Sequence, residues 1–275
     1  MNISKGLYHT IYHPRLIIIP LLVNVILTLT NVLGGYLGFT MLSFHVYDIQ
    51  LPYGVSILVN PNFTLHGTVT NWLLSSIVTI VLLLLKSYAL SIYLGSMKCF
   101  LEGPDNTYSI LKIAPYYFDR MVRFSIIELI IGGLLFIFSH IFWPLALLGI
   151  LIVLFYSLTP FIVILEDTSV RDAIEKSPKF FIKNFETIFF IASISLLLTF
   201  IITKIPITDK NMEYYIVSIL YSFMGTTMIF EVMNCLHKSI YTFSLPSKKI
   251  IKSKKLFPPL WLAALLIPLL GALLV

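Results

Sequence analysis

Mostly apolar windows, each long enough to cross about 30 Å of hydrocarbon as a helix, recur seven times along the chain. They lie near 15–38, 71–96, 122–141, 144–165, 187–203, 214–236 and 257–275. The third and fourth are parted only by Ser139-His140-Ile141-Phe142-Trp143-Pro144, a tight turn with an interfacial Trp, so the two predict a helical hairpin. The pattern as a whole predicts an all-α fold. It is a polytopic transmembrane bundle of six to seven spans, one integral membrane domain over 1–275, with cytoplasmic amphipathic helices between hairpin repeats.

One polar interval, EDTSVRDAIEKSPKFFIKNF at 166–185, has helical periodicity of its own. Val170, Ala173, Ile174 and Ser177 share a face, with Arg171, Asp172, Glu175 and Lys179 turned away from it. Thr168 or Ser169 caps its start, and Asp172 follows Ser169 at the capping-box spacing. Such a helix lies on the inner membrane surface or under the bundle. Lys5 to Pro14, Glu102 through Ile110, Lys112 and Pro115, and Lys248 to Pro259 lead into spans in the same way. The unit read from them is a cytoplasmic amphipathic helix, a span and a returning span, used three times and followed by a seventh span.

Composition agrees: with 58% hydrophobic and 12% charged residues and a mean hydropathy of +0.93, the chain carries more apolar surface than a soluble core hides. The net charge of +6 is a sidedness signal. If the N-terminus is cytoplasmic, sixteen of the nineteen Lys and Arg fall on the inner side, Lys204 and Lys210 on the outer, and Lys86 within a span. The positive-inside rule then predicts a multi-pass cell-membrane protein with a cytoplasmic N-terminus, and a C-terminus outside if the seventh span crosses. The basic run Lys248, Lys249, Lys252, Lys254 and Lys255 predicts contact with anionic lipid headgroups. The bilayer is therefore the main expected partner, with membrane partner subunits a further one. Nucleic acid is not expected, since no basic soluble domain presents itself to it. Cys99 and Cys235 fall at cytoplasmic ends of spans, where thiols stay reduced, which supports neither a disulfide nor zinc. Residues 1–15 lack a small-residue cleavage site, so no cleaved signal is expected.

Chemistry inside the spans is confined to a few side chains. Lys86, Glu128 and Glu231 all project to the cytoplasmic third of the bilayer, where an unpaired charge is costly and pairing is expected. A polar cluster of Lys86 with Glu128 or Glu231 follows. Its functional reading is an ion or substrate path; its structural reading is a buried salt bridge or snorkelling of Lys86. Asn24, which shares a face of the first span with Asn31, is either part of that path or interhelical hydrogen-bond glue. His9 and His13 stand at i, i+4 with no accompanying carboxylate, so neither a metal nor another cofactor is expected. No HExxH, GxSxG or Walker pattern occurs, and enzyme activity is not expected.

Pro160-Phe161-Ile162-Val163-Ile164-Leu165-Glu166-Asp167, followed by Ala173-Ile174, Ser177 and Lys183-Asn184-Phe185, carries a resemblance. It is similar to the pattern in a broad group of uncharacterised six-span bacterial and archaeal membrane proteins. That group includes the membrane domain attached to some glycerophosphodiester phosphodiesterases. The likeness covers mainly residues 85 to 200. Gly6, Pro14, Leu16, Pro20 and Asn24 also fit the group, and this opening alone resembles that of CysZ-type sulfate permeases. The resemblance implies a membrane domain without the catalytic phosphodiesterase domain, for which this chain has no soluble stretch. The function expected is a transport or export component with a polar cluster in the cytoplasmic third of the bilayer. The alternative is a non-transporting scaffold or accessory protein organising lipid or partner subunits.

Overall fold

Segments that are apolar on every face have no water to satisfy their peptide groups, so each closes its hydrogen bonds within itself as a helix. The computed structural model describes residues 3–37, 69–102, 110–141, 149, 152–204, 209–241 and 258–272. Every regular element among them is helical: α1 (Ile3–Tyr12), α2 (Arg15–Leu37), α3 (Val69–Glu102), α4 (Ile110–Ile141), α5 (Thr159–Leu165), α6 (Val170–Lys183), α7 (Phe185–Thr203), α8 (Lys210–Ile240) and α9 (Pro258–Ala272).

Three stretches are long and apolar enough to cross a membrane: Ser76–Glu102 of α3, Phe185–Ile202 of α7 and Met212–Ile240 of α8. A fourth is added if Gly6–Tyr12 and Arg15–Thr30, bent by 77° between them, count as one broken span. The described residues thus support three or four of the six to seven spans expected from the sequence. The expected spans 122–141, 144–165 and 257–275 fall on α4, on the apolar helix Ile152–Leu165, and on α9. At 15 residues, α9 is about 22 Å long. Most of the turn expected between the third and fourth spans lies outside the described residues.

Position in the bundle follows from burial. In α8, 72% of the most apolar window is buried, against 33% in α3 and 28% in α7, so α8 is the central helix and α7 lies at the rim. Phe189, Phe190, Leu196, Leu197 and Phe200 of α7 are exposed, as a lipid-facing surface requires. The main core joins Leu94 and Met97 of α3, Met121 of α4, Phe161 to Leu165 of α5, Ile191 of α7 and Phe230 and Met233 of α8. A smaller cluster of Ile17, Leu21 and Ala264 fastens α9 to α2.

The amphipathic helix expected at 166–185 is α6. Val170, Ala173, Ser177 and Phe181 are buried while Arg171, Asp172, Glu175 and Lys179 face out. Ser169 is its N-cap and accepts the Asp172 N–H at 3.2 Å, and the Asp172 carboxylate accepts the Ser169 hydroxyl at 2.7 Å. α1 and α2 meet at the His13-Pro14 break, where Pro14 lacks the N–H needed to continue one helix into the next. The segment from Ile110 through Pro115 differs from the repeat expected of it: it is the start of the continuous helix α4 rather than a separate surface helix.

Candidate functional site

α3 and α4 pack antiparallel, and small side chains let them approach. A Cβ on Gly95 would stand 2.3 Å from Ile113 Cγ2 and 3.3 Å from Tyr117 Cδ2, so only glycine fits there. In this register Ser87 donates to Ser125 at 3.0 Å, and Lys86 Nζ donates to Glu128 Oε2 at 2.8 Å. Lys86 thus has the first of its two expected carboxylates. The pair is largely buried, with Lys86 9% exposed. Glu128 Oε1 finds no hydrogen-bond partner among the described residues.

Glu231 is not part of that pair. Tyr93 of α3 donates to Thr226 of α8 at 2.9 Å, and farther along the same two helices Phe100 and Phe230 both meet the His9 ring, so α3 and α8 run parallel with Glu231 near the level of Lys98. Lys86 is twelve residues from Lys98, about 18 Å along the helix axis. Of the two carboxylates expected as alternatives for Lys86, Glu128 is therefore the one paired with it and Glu231 lies elsewhere. Glu231 instead accepts the backbone N–H of Gly6 at 2.8 Å, with Asn234 Nδ2 at 3.4 Å from its other oxygen. Gly6 lies in the N-terminal half of α1, and the dipole at that end favours a carboxylate. Thr10 and Thr227, 3.2 Å apart, complete the contact.

Asn24, the fourth expected site residue, is buried in α2 against α8. Its backbone carbonyl accepts the Thr28 hydroxyl at 3.0 Å, and Thr28 lies 3.0 Å from the Tyr214 hydroxyl. That contact sets α2 antiparallel to α8 and brings Asn24 level with Ser218. Asn24 Oδ1 is buried without a hydrogen-bond partner among the described residues.

A feature the sequence reading missed is the polar seam on α8. Tyr214, Ser218, Ser222 and Thr226 recur every fourth residue and all are buried, followed farther along α8 by Glu231, Asn234 and His237. Thr226 and Thr227 return their hydroxyls to the carbonyls four residues back, whereas Ser222 Oγ has no hydrogen-bond partner among the described residues. The i, i+4 recurrence of hydroxyls was the available signal, hidden because single Ser and Thr residues are ordinary in transmembrane helices.

A second missed constellation lies where the end of α3 meets the turn between α5 and α6. Asp167, in the turn between α5 and α6, receives Lys98 Nζ at 2.5 Å and the Tyr117 hydroxyl at 2.6 Å, with Arg120 Nη1 3.8 Å away. Glu102 stands 3.7 Å from Lys98, and Tyr241 of the segment after α8 donates to the Leu165 carbonyl at 3.0 Å. Burial, reinforced by the hydrogen bond to Asp167, raises the Tyr117 hydroxyl above its ordinary pKa, so it stays a donor. Beside it, Lys176 of α6 pairs with Glu166. Residues 98 and 167 are 69 apart in sequence, and no local pattern connects them.

His9 and His13 form part of an aromatic column. His9 stacks on Phe230 at 4.7 Å, His13 stacks on Phe100 at 4.1 Å, and Arg15 lies over Phe100 at 4.4 Å. Cys99 and Cys235 are free thiols. Lys248, Lys249, Lys252, Lys254 and Lys255, the expected lipid contacts, lie outside the described residues. No family model, curated protein or solved structure matches the chain.

Proposed function

We propose that this integral membrane protein is a transport component that passes a small polar solute along α8. The observation that carries the reading is the seam itself. The most buried of the apolar spans bears a polar side chain at almost every turn, and Ser222 Oγ and Asn24 Oδ1 beside it have no hydrogen-bond partner among the described residues. Buried polar atoms without protein partners are costly unless water or a polar ligand completes them. Inside a bilayer such water belongs to a path or cavity.

The reading has the N-terminus cytoplasmic, which puts α6 and the Lys98–Asp167 network at the inner surface where the Lys and Arg excess lies. It takes α4 as a further crossing, since α4 lies antiparallel along a helix that itself is long enough to cross. Six to seven crossings follow if the apolar helix Ile152–Leu165 and α9 extend into the residues beyond them.

The non-transporting scaffold reading draws on a different observation: the three intramembrane charges all have structural partners, Lys86 with Glu128 and Glu231 with Gly6. Osmotic swelling of proteoliposomes, followed by stopped-flow light scattering over a panel of small neutral and ionic solutes, separates the two. The transport reading expects at least one solute to enter faster than into protein-free vesicles, and Ser222→Leu to abolish that difference. Entry at the protein-free rate across the whole panel would establish the scaffold reading.

A further inference from the structure

The donors around Asp167 form a site whose acceptor is the exchangeable part. Lys98 and Tyr117 belong to the α3–α4 hairpin, which the close approach at Gly95 and the Ser87–Ser125 bond hold together, and both side chains are largely buried. Arg120 lies one turn on from Tyr116 and Tyr117, with its guanidinium 5.3 and 5.9 Å from their rings. Its Nη1 has no hydrogen-bond partner among the described residues although Asp167 is 3.8 Å away, so within them one donor of the set is unused.

Asp167 is held less firmly than its donors. Its φ of 53° is in the left-handed region, which is unfavourable for a residue with a Cβ and tolerated best by Asn and Asp. It belongs to a four-residue non-helical turn, and its side chain is 42% exposed. Rotation of this side chain into solvent would leave two cations, Lys98 and Arg120, with one anion, Glu102, and a hydroxyl donor between them. The vacated set carries one net positive charge and three converging donors. A phosphate oxyanion bearing a single negative charge matches it in both charge and hydrogen bonding.

We infer that Lys98, Tyr117 and Arg120 form a binding site for a phosphate group at the inner end of the bundle, with the Asp167 carboxylate as its displaceable internal occupant. The site lies beside the surface helix α6, the level at which phospholipid headgroups are met, and a soluble phosphate reaching it from the inner side would present the same chemistry. The inference is independent of the α8 seam.

The test uses the purified full-length protein in two arms. In the lipid arm, native mass spectrometry counts phosphatidylglycerol retained from nanodiscs that also contain phosphatidylcholine. In the soluble arm, thermal stability is followed while inorganic phosphate replaces chloride at constant ionic strength. Asp167→Asn removes the competing charge and is expected to raise affinity about tenfold in at least one arm, as loss of a charged competitor requires. Arg120→Gln is expected to lower affinity in that same arm. A response confined to the first arm identifies a lipid headgroup; a response in the second identifies phosphate itself. Should Asp167→Asn not fold, Arg120→Gln in the wild-type background must still reduce retention or stabilisation. Unchanged affinity in both arms for every variant that folds would overturn the proposal and leave Asp167 as a turn-fixing residue only.

Discussion

Gly6→Ala tests the docking of α1 against α8 at its closest point. A Cβ at residue 6 would stand 2.8 Å from the Thr227 carbonyl oxygen and 3.1 Å from both Cγ and Oε1 of Glu231. The first of these is backbone in the middle of a long helix and cannot rotate away. α1 must shift, and the 2.8 Å bond from the Gly6 N–H to the Glu231 carboxylate goes with it. Losing a buried hydrogen bond to a charged group costs about 1.5–3 kcal/mol. Overpacking adds about 1–3 kcal/mol. Alanine returns about 1 kcal/mol as the better helix former. The net expectation is a loss of roughly 1.5–5 kcal/mol. Trp261 reports it, because its indole N–H donates to the Ile11 carbonyl at 3.0 Å, at the far end of α1. In a Trp72→Phe, Trp143→Phe background, Trp261 fluorescence during reversible unfolding in mixed detergent micelles gives the free-energy difference directly. If Gly6→Ala is as stable as the parent or more so, helix propensity alone governs the position. The close α1–α8 contact would then be refuted.

Other expectations follow from the same contacts. Lys86→Met alone should destabilise by about 3–5 kcal/mol, as breaking one side of a buried pair does, whereas Lys86→Met with Glu128→Met should be near neutral; a double-mutant cycle in micelles measures both. Gly95→Ala should cost about 1–3 kcal/mol by pushing α3 from α4, and Ile113→Ala, which removes the clashing Cγ2, should restore part of it. Hydrogen bonds from Ser169 and Thr168 hold the Asp172 carboxyl below its ordinary value of 3.8. Its contribution to α6 is therefore complete above that pH and fades as pH falls through the lower folded-state value. Hydrogen exchange at the start of α6 should accelerate below about pH 4, and Ser169→Ala should flatten the dependence.

The legible part of the fold was the part written in local pattern. The Ser169 cap, the buried face of α6 and its exposed Arg171, Asp172, Glu175 and Lys179 all follow from spacing within one helix, and the structure has them so. Lys86 required a partner on energetic grounds, and two carboxylates were candidates. Choosing between them needed the register of α3 against α4 and α8, which apolar segments do not encode, since every face looks alike. For the same reason Glu231 stood as one of two candidates for Lys86, whereas it accepts a backbone N–H supplied 225 residues away. The Asp167 network was hidden differently: Lys98 and Arg120 read as ordinary interfacial cations, and only the turn at Asp167 makes them converge. The α8 seam was visible as four hydroxyl residues at i, i+4, but their significance depends on α8 being central, and centrality is a packing fact.

The central claim, a hydrated polar seam along α8, is tested most directly by thiol accessibility at position 222. Ser222→Cys is placed in a Cys99→Ala, Cys235→Ala background and exposed to a small charged thiol reagent from either side of a sealed vesicle, with Leu197→Cys on the lipid-facing side of α7 as reference. The account predicts that Ser222→Cys reacts from at least one side much faster than the reference. A folded protein in which Ser222→Cys stays unreactive from both sides would contradict it.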